Sequence, residues 1–155
     1  MKPQRATSTI AGICVLSAAL ATSARAQTPT GATYFPAAEV DASFAKGGPT
    51  VLLQTGSVRV LTPTRMQGGE AEAHATEADI FYVVEGHATF LVGGTVSGAH
   101  ETAPGETRGP SLEGGTPYEL KAGDVITIPA GVPHWFKSTQ GKFRYLVVKV
   151  PSSTK

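Results

Sequence analysis

The sequence predicts an all-β domain that closes into a sandwich or barrel, and three observations support this. Glycine and proline are abundant, with 18 Gly and 11 Pro in 155 residues, which indicates many turns. Short runs of β-branched and aromatic residues, such as Asp79–Glu85, are bounded by turn residues, and about eight to ten such strands are expected. Cys14 is the only cysteine, so no disulfide can hold the strands together. Closure of the sheets would protect their edges instead.

One short helix is expected before the strands, because Pro36 suits a first turn, Val40 and Phe44 would share a face, and Gly47 can end it. Residues 95–115 are rich in Gly, Pro, Thr and Glu and are predicted to form a long loop. The strands are predicted in the following segments: 51–54, 57–62, 66–75, 79–85, 88–92, two within 118–129, 133–136 and 143–150.

Residues 1–26 have the pattern of a secretory signal peptide. Lys2 and Arg5 precede an apolar run at 10–21, and a small-x-small cleavage site ends at Ala26. The run of about 12 residues is too short for a helix that crosses a bilayer of roughly 30 Å. We therefore expect an exported protein, periplasmic or extracellular.

Cleavage after Ala26 would change the composition of the chain. The removed segment contains three cations and no acid, so the net charge falls from +1 for the whole chain to −2 for the remaining 129 residues. A slightly acidic domain is not expected to bind nucleic acid, and no second apolar stretch is long enough to anchor the mature chain in a membrane. The expected organisation is the signal peptide, an arm with a short helix at 27–49, and one domain at 50–150.

Four acidic or imidazole side chains fall where strands would bring them together. Glu72 and His74 are two residues apart, so they point to the same face of a strand. Asp79 begins the next strand after a four-residue connection, and His134 follows a turn rich in Pro and Gly. Imidazole and carboxylate groups are ligands for divalent ions of borderline hardness. A mononuclear metal site is therefore one interpretation of this pattern.

The segment before His134 resembles the second motif of the cupin superfamily, which runs roughly G-x5-P-x-G-x2-H-x3-N. Gly123, Pro129, Gly131 and His134 occupy its first four defined positions in register. Ser138 stands where the family often has Asn. Agreement at four positions over twelve residues makes this the more specific of the two resemblances.

The family's first motif, roughly G-x5-H-x-H-x3or4-E-x6-G, is met more loosely. Counting back from Gly86 puts Asp79 in place of the family's Glu, His74 in place of its second His and Glu72 in place of its first His. The opening glycine is out of register. The resemblance covers about residues 50–150 and implies a small single-domain cupin, with a double-stranded β-helix or jelly-roll barrel that holds any metal inside.

The resemblance implies a ligand set of Glu72, His74, Asp79 and His134 around one divalent metal ion, such as Mn²⁺, Fe²⁺, Ni²⁺ or Zn²⁺. Two carboxylates replace the single one of the usual cupin set, which should weaken the ion as a Lewis acid and favour harder ions. The short side chain of Asp79 could reach the ion only through water. Glu72 is also the candidate catalytic residue, as either a ligand or a general base.

Several alternatives remain open from the sequence. Without a metal, Glu72, His74 and His134 would form a hydrogen-bonded polar patch in a ligand pocket. Glu77 is a rival ligand to Asp79, although a solvated loop position is the simpler expectation for it.

The remaining histidines and the aromatic residues have simpler expected roles. His87 and His100 are expected to be exposed. Because adjacent strand residues face opposite ways, Phe136 should share the side of His134 while Trp135 packs on the other side. The tyrosines are expected to pack with their hydroxyls at the surface.

Three functions follow from these expectations. The first is a metal-dependent enzyme that acts on a small organic substrate, of the dioxygenase, isomerase or lyase type that the cupin resemblance implies. The second is a non-catalytic module that binds a small molecule or sugar without metal. The third is an interaction protein in which the barrel forms a homodimer, with the apolar strand Tyr145–Val150 as a candidate interface.

Overall fold

The computed structural model describes residues 31–152, and the predicted signal peptide lies outside this range. Within the range, one helix precedes thirteen strands. The elements are α1 (Ala37–Ala45), β1 (Gly48–Thr55), β2 (Val58–Arg65), β3 (Ala71–His74), β4 (Glu77–Glu85), β5 (His87–Val92), β6 (Thr95–Ser97), β7 (His100–Ala103), β8 (Glu106–Gly109), β9 (Ser111–Glu113), β10 (Thr116–Lys121), β11 (Val125–Ile128), β12 (His134–Thr139) and β13 (Phe143–Pro151).

Two antiparallel sheets enclose the core. The first has five strands in the order β1-β2-β13-β4-β11, and the second has six in the order β10-β5-β12-β3-β8-β7. Strands β6 and β9 pair separately as a two-stranded ribbon. Most neighbours in each sheet come from distant parts of the chain, as in a double-stranded β-helix. The predicted all-β jelly-roll barrel with a short N-terminal helix is therefore confirmed.

The prediction of a long loop at residues 95–115 is wrong. This segment contains the four short strands β6, β7, β8 and β9. Each has only three or four residues, and β7 is exposed along its whole length, so it carries no apolar alternation. Strands this short give no periodic signal, and the glycines between them read as loop. The expected total of eight to ten strands was too low for the same reason.

The predicted strand at residues 66–75 is also too long, because only Ala71–His74 is extended. Residues 66–70 lie outside any strand, with bends at 66 and 67, and connect one sheet to the other. The chain passes close to β12 there, since the amide of Gly69 donates to the carbonyl of Phe136 over 3.0 Å. The Gly68-Gly69 interruption thus ends the strand pairing on its N-terminal side.

The predicted helix forms and covers the outer side of β1 and β2. Phe44 is buried and Val40 is half-buried on the same helix face, as expected from their spacing. The hydroxyl of Thr64 donates to the carbonyl of Phe44 over 2.8 Å, and the hydroxyls of Ser43 and Thr62 form a buried hydrogen bond. These polar contacts fix the helix on the strand pair whose opposite face lines the barrel.

Aromatic side chains fill the barrel interior. Phe81, Phe90, Phe136 and Tyr145 are each 3% exposed or less, and the rings of Phe90 and Phe136 lie 4.5 Å apart. Burial of one such side chain stabilises the fold by about 1.5–3 kcal/mol. The ring of His134 borders this cluster, 5.9 Å from the Phe90 ring. The apolar core therefore forms the floor on which the imidazole stands.

Strand β13, the suggested dimer interface, lies in the middle of the five-stranded sheet, between β2 and β4. Its backbone groups are engaged on both sides, so it cannot add a strand from a second copy. Only its outward side chains, such as Leu146 and Val148, could contact another molecule. The homodimer remains a prediction.

Candidate functional site

His74 is the last residue of β3, and its carboxylate partner lies on the adjacent strand. The register of β3 with β8 sets His74 opposite Glu106. The Nδ1 atom of His74 lies 2.6 Å from Oε2 of Glu106. An ionised carboxylate can only accept, so Nδ1 carries the proton and donates to it. In the neutral imidazole this leaves the lone pair on Nε2, which points into the barrel interior.

His134 is the first residue of β12, and its Nδ1 is also engaged. Nδ1–H donates to the carbonyl of Val132 over 3.0 Å, which again leaves the lone pair on Nε2. The turn before it depends on Gly131, whose φ of +78° is unfavourable for other residues. The amide of Gly131 donates to the carbonyl of His74 over 2.7 Å. One turn thus connects the backbones that carry the two imidazoles.

The two imidazoles converge with the carboxylate of Glu72. Glu72 pairs with His134 across β3 and β12, and Oε1 of Glu72 lies 3.5 Å from Nε2 of His134. One ligand atom from each of Glu72, His74 and His134 lies within 4.8 Å of the other two. Among the described residues, both Nε2 atoms are buried and have no hydrogen-bond partner. Three potential metal-ligand atoms therefore lie close together between two strands.

Asp79 approaches the same point from the opposite sheet. Its side chain is 2% exposed, and Oδ2 lies 3.4 Å from Nε2 of His74 and 3.7 Å from Nε2 of His134. Its other oxygen accepts a hydrogen bond from Nζ of Lys149 over 2.7 Å. Asp79 is therefore close to both imidazoles but stands outside the group of three ligand atoms that face one another.

The surroundings keep both carboxylates ionised. Burial raises the pKa of Glu72, but His134, Arg108 and His74 together outweigh it and bring the pKa down to about 2. Burial also acts to raise the pKa of Asp79, yet the nearby imidazole of His74 and the charge of Lys149 hold it below its usual value. The site therefore carries two negative charges near neutral pH.

The pKa of His74 shifts the other way. Burial would lower it, but the carboxylate of Asp79, 3.4 Å from Nε2, and the charge of Glu72 raise the pKa of His74 above its ordinary value, against the opposing charge of Lys149. A cation at Nε2 is therefore favoured by the surrounding carboxylates, whether that cation is a proton or a metal ion.

The site opens into a cavity of about 600 Å³. Glu72, His74 and Asp79 line it, together with charged and phenolic residues outside the predicted ligand set. These additional residues are Arg59, Arg65, Glu106, Arg108, Tyr145 and Lys149. The cavity is thus a charged chamber with Glu72 and His74 on one wall and Asp79 on the other, large enough for a small organic molecule.

Glu106 and Arg108 were missed because residues 95–115 were interpreted as a loop. As a strand, Glu106-Thr-Arg108 places both charged side chains on one face, which is the signal that could have found them. Arg59, Arg65 and Lys149 lie on strands whose inward residues are otherwise apolar. Their even spacing from Leu61 and Val147 places them on the same strand faces as these apolar residues. Long cationic side chains on strands are usually exposed, however, so the spacing alone does not predict an inward position.

The other candidates take simpler positions. Glu77 is neither a solvated loop residue nor part of the three-ligand group, because it begins β4 and forms an ion pair with Arg59. His87 and His100 are exposed as expected, although His100 lies in a strand.

The side chains of β12 face as expected. Phe136 joins the barrel core beside His134, and Trp135 packs on the other side against a separate small cluster. The indole of Trp135 donates to the carbonyl of Gly69 over 2.6 Å. Tyr145 departs from the expected surface hydroxyl, since it is buried and its oxygen accepts a hydrogen bond from Arg65.

The sequence also matches a known protein family. The family model described as Cupin matches residues 49–154. This chain belongs to the cupin superfamily. The resemblance inferred from the two motifs is therefore confirmed. No curated protein shows significant sequence similarity to the chain.

Solved structures share the fold of this cupin at low sequence identity. An uncharacterized conserved protein with a double-stranded β-helix domain from Klebsiella pneumoniae is 22% identical, with a TM-score of 0.52 over 81% of this chain and 95% of that one. BH2720 from Bacillus halodurans is 16% identical, with a TM-score of 0.56 over 83% and 89%. At these identities the likeness shows the fold alone.

No helix among residues 31–152 of this cupin combines the length and the apolar character needed to cross a membrane.

Proposed function

We propose that this cupin binds one divalent metal ion between Glu72, His74 and His134 and acts on a small organic molecule in the adjoining cavity. One observation carries the proposal. Two imidazole Nε2 atoms are buried without a hydrogen-bond partner among the described residues, and both face the carboxylate of Glu72. A buried polar atom without a partner is costly, so its retention needs an explanation. A shared cation satisfies both atoms at once.

The donor set fits a divalent ion. Imidazole ligands of metals commonly donate their other ring N–H to a carboxylate or a backbone carbonyl. Here Glu106 plays that part for His74, and the carbonyl of Val132 plays it for His134. Both rings are thus fixed with Nε2 free to bind. The two nitrogens and one carboxylate suit Mn²⁺, Fe²⁺, Ni²⁺ or Zn²⁺.

Glu72 fits the role of a ligand better than that of a base. Its carboxylate belongs to the group of mutually close ligand atoms. A general base is most effective when its pKa is near the working pH, whereas the pKa of Glu72 is about 2. Asp79 has one oxygen held by Lys149, which supports a contact with the ion through water and leaves Asp79 to orient substrate.

The ion, when bound, would polarise a substrate oxygen as a Lewis acid. The residues of the chain would do the rest. The aromatic floor at Phe81 and Phe90 excludes water from beneath the imidazole of His134, and Arg108 holds Glu72 in place through a contact of 2.6 Å. A dioxygenase, isomerase or lyase reaction is compatible with this arrangement.

A metal-free binding module is the second candidate, and one observation favours it. The chain itself supplies a cation to each carboxylate, since Arg108 contacts Glu72 and Lys149 contacts Asp79. Internally neutralised carboxylates are what a sugar or small-molecule pocket without metal would contain. The two Nε2 atoms would then hydrogen-bond to the ligand directly.

Elemental analysis distinguishes the two candidates. Protein purified without added metal is expected to contain close to one transition metal per chain, and Mn²⁺, Fe²⁺, Ni²⁺ or Zn²⁺ should raise the melting temperature of the EDTA-treated protein. A metal content near zero, without stabilisation by any of these ions, would support the metal-free module and overturn the first proposal.

We also propose that the protein is exported, on the support of the leader pattern at residues 1–26. N-terminal sequencing of protein recovered from the periplasm or medium is expected to begin at Gln27. Recovery of the chain from the cytoplasm alone, with its leader intact, would contradict export.

A further inference from the structure

The cavity beside the candidate metal site carries more positive than negative side chains. Four cations line it, namely Arg59, Arg65, Arg108 and Lys149. The carboxylates that line it are fewer, and a bound divalent ion would add positive charge. A chamber with this balance raises the local concentration of anions rather than of neutral or cationic molecules.

Three of the four cations already have carboxylate partners. Arg59 pairs with Glu77, as stated above. Nη1 of Arg108 lies 2.6 Å from Oε2 of Glu72, and Nζ of Lys149 lies 2.7 Å from Oδ1 of Asp79. The charge of each of these cations is largely neutralised within the chain.

Arg65 differs, because none of its nitrogens forms a salt bridge with any carboxylate of residues 31–152. Its guanidinium group is nevertheless held in place. The central carbon lies 4.6 Å from the centre of the Phe136 ring, and Nε–H donates to the hydroxyl of Tyr145 over 2.9 Å. A stacked guanidinium with Nε engaged still has its four terminal N–H groups to offer.

Gly69 makes room for this guanidinium. A Cβ atom at position 69 would lie 2.6 Å from Nη1 of Arg65, so a larger residue there would displace the end of the arginine side chain. The backbone around Gly69 is fixed at the same time, because its amide donates to Phe136 and its carbonyl accepts from the indole of Trp135. The position of Arg65 is therefore built into the fold from three sides.

Tyr145 adds a second donor. Its oxygen accepts the hydrogen bond from Arg65, so its own proton remains free to donate toward the cavity that it lines. Burial raises the pKa of Tyr145 to about 12, although the charge and hydrogen bond of Arg65 act to lower it. The phenol thus keeps its proton at any working pH. The terminal nitrogens of a guanidinium and a phenolic hydroxyl together match an oxyanion.

We propose that Arg65 and Tyr145 bind the oxyanion group of the substrate, a carboxylate or a phosphate, so that this cupin acts on small organic acids. The binding of the oxyanion group by Arg65 and Tyr145 does not require a metal ion. Contact between the other end of the substrate and a metal ion rests on the function proposed above. The substrate class is thereby narrowed from small organic molecules to those that carry a negatively charged oxygen group.

Calorimetric titration with defined probes tests this inference. The probes are succinate, its neutral dimethyl ester and inorganic phosphate, each titrated into protein as purified and into EDTA-treated protein. Succinate or phosphate is expected to bind at least tenfold more tightly than the ester, and the stronger of the two identifies the oxyanion. Anion binding that persists after EDTA treatment separates the Arg65 site from the metal site.

Two substitutions of Arg65 test its role. Arg65→Met keeps an unbranched stem over Phe136 but removes the charge, and it should weaken binding of the preferred anion by roughly ten- to a hundredfold. Arg65→Lys should restore part of this loss, because it keeps the charge without the planar fork. Metal content should be unchanged in both variants.

Arg144→Met is the matched control. Arg144 is also stacked on an aromatic ring, 5.1 Å from the centre of Phe44, but it pairs with Glu85 and does not line the cavity. This variant should keep the affinity of the parent protein for the anion. Equal binding of succinate and its ester by the parent, or equal anion affinity of Arg65→Met and Arg144→Met, would overturn the inference even if a metal is bound. Conversely, a metal-free protein with Arg65-dependent anion binding would overturn only the proposed metal site.

Discussion

The two walls of the cavity are built differently. The wall from the six-stranded sheet carries Glu72 and His74, and His134 is buried on the same sheet next to Glu72. The Nε2 atoms of both imidazoles are left without partners among the described residues. The wall from the five-stranded sheet carries Asp79 and Lys149, which satisfy each other. One wall thus has unpaired nitrogen atoms that can bind a metal ion or another ligand. On the other wall, most of the charge is already balanced by neighbouring side chains. Function is expected where the side chains remain unsatisfied.

The largest effect should come from loss of an imidazole on the ligand wall. His134→Ala is expected to weaken metal binding by more than about a hundredfold, because it removes a direct ligand. His74→Ala should do the same. Metal content and the affinity for Mn²⁺ or Zn²⁺ in a competition titration measure the effect. His87→Ala is the control, because His87 is exposed and does not line the cavity. Equal metal content in all three variants would show that His74 and His134 do not bind a metal ion.

A substitution on the wall that carries Asp79 and Lys149 should change the stability of the protein rather than its metal affinity. Lys149→Met leaves the buried carboxylate of Asp79 without its cation, which should lower the free energy of unfolding by about 3 kcal/mol in the absence of metal. Urea denaturation in EDTA measures this. Replacing Asp79 as well, in Lys149→Met with Asp79→Leu, should recover most of the loss. A single variant as stable as the parent would show that the pair does not balance this wall.

The pH dependence of stability should reflect Glu72. Its pKa is lowered from 4.5 to about 2 in the folded chain, so its contribution is present above pH 4.5 and is lost as pH falls toward 2. Between pH 6 and pH 3 the loss should be about 2 kcal/mol. Urea denaturation of the parent and of Glu72→Gln in EDTA should therefore show a difference that shrinks by this amount. A difference independent of pH would contradict the low pKa.

The smallest effect is expected from the residue that supports His74. Glu106→Gln keeps an acceptor for Nδ1–H but removes its charge, so metal affinity should fall by about tenfold. Glu70→Gln is the control, because Glu70 is exposed and does not line the cavity. The same competition titration measures both variants. An unchanged affinity in Glu106→Gln would mean that the carboxylate does not support the ligand wall.

The candidate ligands on both walls could be predicted from the sequence, but the charged residues that contact them could not. His134 was placed by a Pro-Gly turn in motif register, and Glu72 and His74 by their spacing of two on a strand. These are local patterns, so they are legible without the fold. The contact between Asp79 and Lys149 joins residues seventy positions apart, and only the pairing of β4 with β13 brings them together.

The same limit explains the errors on the fold. Glu106 lies in a four-residue strand of mixed exposure within residues 95–115, where local composition favours a loop. Its role follows from the register that sets it opposite His74. Arg65 gave no signal either, because its partners Phe136 and Tyr145 come from two other strands. Non-local pairing supplies these contacts, and no short pattern encodes it.

A crystal structure of the protein soaked in Mn²⁺ tests the central claim most directly, with data collected where manganese scatters anomalously. The account predicts one strong anomalous peak between Glu72, His74 and His134, coordinated by Nε2 of each imidazole. A peak elsewhere, or none at saturating Mn²⁺ while the two Nε2 atoms bind a water or an organic ligand, would contradict the claim that this wall holds a metal ion.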